Sequence, residues 1–575
     1  MTTAARVSGV SAVPWALAWA WTWTWIVAAV SAAAAAPVDP AVLEAERGRV
    51  EAIRRGSAAA VSIFAGDAGG GSGVLLTPDG YAATNFHVVQ PIGPALTCGL
   101  ADGSLHDAVI VGVDPTGDLA LIKLLGRDDF PCVELADSDA VVVGDFCFAA
   151  GNPFLLATDL VPTVTAGIVS GVHRYQFPAG TILEYTDCLQ VDLSINPGNS
   201  GGGLFDAAAR LIGVNGRASF EKRGRVNVGA AYAISSNQLR NFMGSLRAGR
   251  ICDHATLGAT VSTSADGRAV VSDILESSDA WRRGLRYDDE IVSLAGRAIR
   301  SVNEFKNLLG TLPAGWQVPL VVRRDGARRE LLVRLAGVHS PARLATLARG
   351  DAEPPGEEPA PRAPLPAAVR GLYDPRPGHA NHHFATVERD RVAAALASFR
   401  DGVAPGPWVF TGTLDDGGEF RIELSDAGAS IDLPTGTSTL DVHDEFDRAA
   451  VPPGSGGMLP ALVLWRRLVI EGPAAVGRTS YWGTAARDPA TLRAGATAEL
   501  ADVLETTVAG VEARFTIDES GRATVIDLWT APDADPCELR LVWPAGAAAP
   551  SVIEARRRGE RFATFHLAPP PGATP

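Results

Sequence analysis

Lysine is nearly missing from this 575-residue chain: among 50 basic residues only Lys123, Lys222 and Lys306 are lysines, which reads as compositional bias rather than function. Basic charge as a whole is outweighed, with 65 acidic residues giving a net charge of −15. A nucleic-acid binder needs a basic footprint, so no nucleic-acid partner is expected. Six cysteines in so long a chain do not make a disulfide scaffold, and none is spaced Cys-x-x-Cys, which excludes zinc ribbons and thioredoxin-like redox motifs. After residue 36 no apolar run is long enough to cross a bilayer. What the chain does have is 47% hydrophobic residues, ample for globular cores. At about 100–200 residues per domain, the length accommodates three or four domains.

The N-terminus has the layout of an export signal. Arg6 is the only charge before Asp39, an apolar stretch runs from Ala12 to Val30, and the small residues Ser31 to Ala36 follow. Residues 1–36 are therefore expected to be a signal peptide. The stretch is longer than usual and Pro37 follows the cut, so an uncleaved anchor is the alternative, and a membrane contact is expected only in that case. A mixed-charge helix over Val42–Arg55 lies within an N-terminal helical segment, 37–56.

Short apolar runs then alternate with Gly, Pro and Asp turns: Ala60–Phe64, Gly73–Leu76, Tyr81–Ala83, Ala108–Val113, Leu119–Leu124 and Val141–Phe148. Such spacing predicts an all-β barrel or sandwich, lasting to about Ile234. A smaller unit with strands, a helix near Val302–Leu309 and a closing hairpin around Arg324–Arg328 comes next. Residues 338–372 read as a linker, and Gly350–Ala367, rich in Pro, Glu and Ala, as its stiff, extended part. Residues 373–575 alternate as strands, with hairpins at Asp415–Gly418 and Asp518–Gly521 and a helix over Val387–Phe399.

The chemistry is concentrated in three strings: Ala83–Val89, Thr116–Lys123 and Asn196–Leu204. Taken singly, each has an ordinary explanation. A histidine before Val-Val packs as a turn or core residue, an aspartate after Thr-Gly caps a turn, and a glycine string makes a tight loop. Together they supply what amide hydrolysis through a serine requires: a base (His87), a carboxylate that orients it (Asp118) and a nucleophile (Ser200). Glycines around Ser200 let the backbone turn sharply and expose the hydroxyl. The oxyanion hole is expected at Gly198, Asn199 and Ser200, with the N–H groups of Gly198 and Ser200 as its donors. The order His, Asp, Ser is that of chymotrypsin-type β-barrels, which is also the fold the strand pattern predicts.

These strings, with Gly69–Val74, Gly151-Asn152-Pro153-Phe154, Val164–Ser170, Leu211–Asn215 and Tyr232–Ser235, resemble the HtrA/Deg family of trypsin-like serine proteases over roughly residues 57–245. The resemblance implies a chymotrypsin-like double β-barrel protease domain over 57–250 and a homotrimer. Asn199 stands where digestive relatives carry an aspartate, so the resemblance implies control by loop rearrangement instead of N-terminal clipping. The segment between Phe64 and Gly69 is too short for the long regulatory insertion of some relatives. Val228 and Ala230 are expected to wall a small apolar pocket, favouring cleavage after Val, Ala or similar residues.

Residues 252–337 resemble the PDZ domain, an α+β module, that follows the protease in this family. Leu257-Gly258-Ala259-Thr260 falls at the loop whose N–H groups capture a peptide C-terminus, and Phe305, Leu308 and Leu309 fall at the side-chain groove. The spacing of those helix residues also fits plain core packing. Trp281, Asp288 and Ala259 depart from the family pattern.

Residues 373–575 carry no motif that identifies a family and read as a β-rich α+β domain of unknown role. His379, His382 and His383 are clustered beside Pro377-Gly378, a solvated loop rather than a metal site, and Tyr481-Trp482-Gly483 reads as core. Asp444, Glu445 and Asp447 lack calcium-loop spacing. The whole chain is then read as mainly β and exported to the periplasm or another extracytoplasmic space. It is expected to be an ATP-independent serine endopeptidase acting on unfolded or damaged proteins, needing neither cofactor nor metal. The alternative is a proteolytically silent chaperone or sensor that binds misfolded C-termini.

Overall fold

The computed structural model describes residues 38–569 except 65–69, 153–158, 177–183, 221–226, 350–363, 404, 442–449, 493–497 and 532–533; of residues 217–220 and 227–229 it describes the backbone only. The expected signal segment, the Pro-rich run 350–363 and the acidic cluster at Asp444, Glu445 and Asp447 lie outside the described residues. The chain has two compact units, 1–52 and 53–575. The helix Pro40–Ala58 starts earlier and ends later than the charge pattern predicts, and is exposed from Pro40 to Glu51.

Six strands close the first barrel: β1 (Ala60–Phe64), β2 (Gly70–Leu75), β3 (Tyr81–Thr84), β4 (Ala95–Leu100), β5 (Leu105–Asp114) and β6 (Leu119–Leu124), in the order β1-β2-β3-β6-β5-β4. Val74, Ala82, Val111 and Leu121 fill its interior with no exposed surface. Gly80 is needed at the β2–β3 turn: its φ is +99°, and a Cβ there would stand 2.6 Å from the Leu124 carbonyl oxygen.

The second barrel is β7 (Phe146–Gly151), β8 (Thr163–Gln176), β9 (Tyr185–Val191), β10 (Gly203–Asp206), β11 (Leu211–Phe220) and β12 (Asn227–Ser235), ordered β10-β11-β12-β9-β8-β7. The apolar run Val141–Phe148 does not form one strand. Asp145 accepts the N–H of Val142 (2.9 Å), bending the run into a turn, and β7 begins only at Phe146. The helix Ser236–Arg247 follows, capped by the Ser235 hydroxyl.

The third sheet has strands Ala259–Thr263, Ala269–Ile274, Glu290–Leu294, Gln317–Arg324 and Ala327–Arg334, with helix Val302–Gly310 beside it. Its core is built on Val271, Leu294, Val318, Leu320 and Val333. The segment 338–372, expected to be linker throughout, contains the helix Pro341–Arg349, whose Leu347 is buried.

Residues 408–567 form one antiparallel sheet of eleven strands, from Gly436–Asp441 at one edge to Arg478–Ala486 at the other. The helix Met458–Glu471, which the sequence pattern did not single out, is mostly apolar and buried over the sheet, with Arg466 paired to Asp426 (2.6 Å). Trp465 anchors it, 5.0 Å edge-to-face from Trp408. This sheet is no free-standing module. Trp316 Nε1 of the PDZ core donates to the Thr484 carbonyl (2.8 Å), and buried Arg283 pairs with buried Glu538 (2.9 Å). On the protease side, Arg247 meets Glu388 of the helix His383–Arg400, which packs beside the sheet, at 2.7 Å.

Candidate active site

His87 rides on the single-turn helix Phe86–Val89, immediately after β3. Asp118 sits in the turn between β5 and β6 at φ +58°, a left-handed conformation that aspartate tolerates at some cost. Four bonds tie the two segments. The Asp118 carbonyl accepts from Asn85 Nδ2 (2.9 Å) and from the N–H of Phe86 (3.3 Å). Its carboxylate accepts the His87 N–H at Oδ1 (3.0 Å) and meets His87 Nδ1 at Oδ2 (2.8 Å). Asp118 has no exposed surface, whereas the His87 side chain is 39% exposed. Burial works against the imidazolium, but the charge and hydrogen bond of Asp118 together outweigh it and hold the His87 pKa above its ordinary value.

Ser200 lies in the tight turn before β10, pinned from both sides. Gly198 and Gly201 have φ of +100° and +85°. The N–H of Gly201 donates to the Asn215 carbonyl (2.7 Å), and the N–H of Ser72 to the Ser200 carbonyl (2.9 Å). The buried Ser72 hydroxyl donates to the Gly198 carbonyl (2.6 Å) and accepts from the N–H of Asn152 (2.9 Å). A Cβ at Gly201 would lie 3.0 Å from the Asn85 backbone nitrogen, so the nucleophile loop abuts the segment that carries His87.

The N–H groups of Gly198 and Ser200 have no acceptor among the described residues. Asn199 corrects the expectation: its N–H donates to the Asn196 carbonyl (2.9 Å), so it is not a free oxyanion donor. The Ser200 hydroxyl donates to the Gly216 carbonyl (3.2 Å), and among the described residues no hydrogen bond joins it to His87 Nε2.

Of the expected pocket wall, Ala230 is half-buried on β12, and the side chain of Val228 lies outside those described. In the PDZ region Leu257 is 2% exposed and Phe305 and Leu308 4%, all three within the domain core. Phe305 and Leu308, on the helix Val302–Gly310, are packing residues, as period-3.6 spacing on a helix usually means. Leu309 and Ala259 are half-buried and the Thr260 side chain is exposed, so these three keep access to a ligand. Gly258 has φ +69° beside Ser278, and its N–H bonds the Thr256 hydroxyl (3.1 Å).

His379 and His382 contact each other edge-to-face at 4.9 Å. Burial and then Arg250 push His379 down to about 4, while His382 pairs with Asp374 (3.3 Å). Another acidic–imidazole group, Asp139, His173 and Asp187, has its cation already: the Arg297 guanidinium stands 3.0 Å from Asp187.

Sequence reasoning assigned no role to three neighbours of the triad. Ser72 was legible only as part of its glycine string. Tyr185, whose hydroxyl donates to Asp118 Oδ2, carries no motif. His254 pairs with Asp114 at 2.8 Å, and Asp114 Oδ1 accepts the N–H groups of Thr116 (3.2 Å) and Gly117 (2.8 Å), the turn that delivers Asp118.

Residues 71–214 match the trypsin-like peptidase domain family, and residues 255–335 match the PDZ domain family. The class is thus a trypsin-like serine protease fold joined to a PDZ domain. Over 268 residues the chain is 37% identical to the periplasmic serine endoprotease DegP of Escherichia coli strain K12, covering 44% of this chain and 54% of that protein. It is 36% identical over 269 residues to the DegP of Salmonella typhimurium, covering 44% and 54%. Among solved structures, the HtrA-type protease AlgW with a tripeptide is 30% identical, with a TM-score of 0.42, covering 51% of this chain and 98% of that one. The chain spans about half the length of the curated relatives it matches. Its trypsin-like peptidase and PDZ regions are thus similar to those of the DegP serine endoproteases.

Proposed function

We propose that this chain is a serine endopeptidase with Ser200 as nucleophile, His87 as base and Asp118 as its orienting carboxylate. The observation that carries the reading is the buried Asp118 carboxylate on Nδ1 of a half-open His87, beside a serine loop with two uncommitted N–H groups. Asp118 fixes the tautomer that leaves Nε2 free to accept a proton. Ser200 re-aims from the Gly216 carbonyl, gives its proton to Nε2 and attacks the scissile carbonyl. The N–H groups of Gly198 and Ser200 receive the oxyanion. The imidazolium then protonates the leaving amine, and water, deprotonated by His87, releases the acyl group from Ser200.

Substrates under this reading are unfolded or damaged proteins, cut after small aliphatic residues, with peptide C-termini held at the PDZ loop 257–260. The names of the DegP relatives support an extracytoplasmic location, to which the apolar N-terminal stretch would direct the chain. No described helix is long and apolar enough to cross a membrane. A homotrimer remains part of the reading, and light scattering of the purified protein tests it.

The test is hydrolysis of unfolded casein by the chain lacking residues 1–36, beside Ser200→Ala. Cutting by the wild type alone supports the reading; equal cutting by both overturns it. The silent-chaperone reading is favoured by one observation, the bond from Ser200 to Gly216. It predicts no casein cleavage and no reaction with a fluorophosphonate, even with C-terminal peptides added.

A further inference from the structure

Asp118 Oδ2 serves two donors at once: His87 Nδ1, at 2.8 Å, and the hydroxyl of Tyr185. Tyr185 opens β9, on the second barrel, and is 2% exposed. Its ring reaches across to the first barrel because position 216 is a glycine. A Cβ at Gly216 would press on the tyrosine ring at Cε1 and stand 2.8 Å from its hydroxyl. Any side chain at 216 would therefore evict the phenol, and Tyr185 with Gly216 form a matched pair. The strand is also fixed two residues on: Asp187 donates its N–H to Asn307 (3.0 Å) and pairs with Arg297 (3.0 Å).

Asp118 needs such a hold. Its backbone occupies the left-handed region, which by itself is not a stiff support for a side chain. Its bonds to Asn85 and Phe86 engage only the carbonyl, and the carboxylate is otherwise held by His87 alone, through the N–H on Oδ1 and Nδ1 on Oδ2. A hydroxyl on Oδ2 fixes the carboxylate plane further and shares the negative charge that faces His87.

We propose that Tyr185, seated by the gap at Gly216, is the positioning residue of the triad: it orients Asp118 and tempers the basicity of His87. This rests on the serine-protease reading. Without the hydroxyl, the carboxylate charge falls more fully on His87 Nδ1, the imidazolium is stabilised, and the protonated, inactive base persists to higher pH.

The experiment uses the full chain, with Tyr185→Phe, which keeps the buried ring, and Gly216→Ala, which keeps the phenol but displaces it. Initial rates on unfolded casein are measured from pH 5 to 9, with Ser200→Ala as the blank and thermal melts as the check on folding. Tyr185→Phe is expected to lower kcat about tenfold, the size of one hydrogen bond to a charged group, with KM within about twofold. The acid limb of kcat/KM should move to higher pH. Gly216→Ala should move it in the same direction, and carries the test alone if Tyr185→Phe does not fold. An unshifted acid limb in the folded variants, with or without a fall in kcat, would overturn the proposal, since lost packing alone does not retitrate His87. A wild type that cuts no more than Ser200→Ala would overturn the protease reading and this proposal together.

Discussion

Two histidine–aspartate pairs flank one turn of the first barrel, and they are alike in chemistry and unlike in use. His87–Asp118 and His254–Asp114 each close at 2.8 Å on a carboxylate without exposed surface. In both, burial opposes the imidazolium and the facing carboxylate outweighs it, so both histidines titrate above their ordinary value. The difference is access. The His87 side chain is 39% exposed, while that of His254 is 6% exposed, with its ring 4.7 Å from Phe242. Catalysis needs an imidazole with one edge open to a nucleophile. The closed pair instead holds the turn 115–117 from which Asp118 projects. Pair geometry alone therefore does not identify a catalytic dyad.

The largest expected effect separates the pairs by rate. Ser200→Ala or His87→Ala should reduce casein hydrolysis by about 10⁶-fold, and Asp118→Asn by about 10⁴-fold. Residual cutting near wild-type level in any of them would merge the two pairs again. The next effect separates them by stability. Asp114→Asn leaves His254 buried without its counter-charge and should cost about 3–5 kcal/mol in urea unfolding. Ser200→Ala should unfold at the wild-type midpoint.

A third effect sets the pairs against each other along the pH axis. His87 must be neutral to act, so kcat/KM should fall as pH drops through a pKa above the ordinary 6.5. His254 has its pKa raised on folding, so its contribution to stability is complete below its unfolded value of 6.5 and lost as pH rises through the folded value. Raising the pH should thus increase activity while weakening the closed pair, measured by rate and by urea midpoints with His254→Asn as reference. The smallest effect belongs to a third pair, His173–Asp187, also at 2.8 Å but with a His173 side chain 43% exposed. Arg297 keeps Asp187 company there, so His173→Gln should cost about 1 kcal/mol or less. A loss of several kcal/mol would place it with the buried class.

The sequence was legible where chemistry constrains residue type. His87, Asp118 and Ser200 stand in strings whose order points to the fold, and the double barrel, the PDZ region and the hairpins at 415–418 and 518–521 are all present. Legibility failed where long-range contacts decide. Tyr185 and Gly216 are 31 positions apart in sequence and meet only because β9 and β11 share a barrel. His254 stands in no motif, and its partner Asp114 lies 140 positions away. Phe305 and Leu308 follow a groove pattern but face the core, because period-3.6 spacing is the same for both uses. The eleven-stranded sheet was legible as a β-rich region with two hairpins, but its strand order and its buried docking through Glu538 and Thr484 have no local signature.

The most direct test of the central claim is active-site labelling of the full chain with a fluorophosphonate, followed by peptide mapping. An adduct on Ser200, absent in Ser200→Ala and nearly absent in His87→Ala, is the predicted result. No adduct with C-terminal peptides present, or an adduct on another residue, would contradict the assignment of this site as a working serine protease.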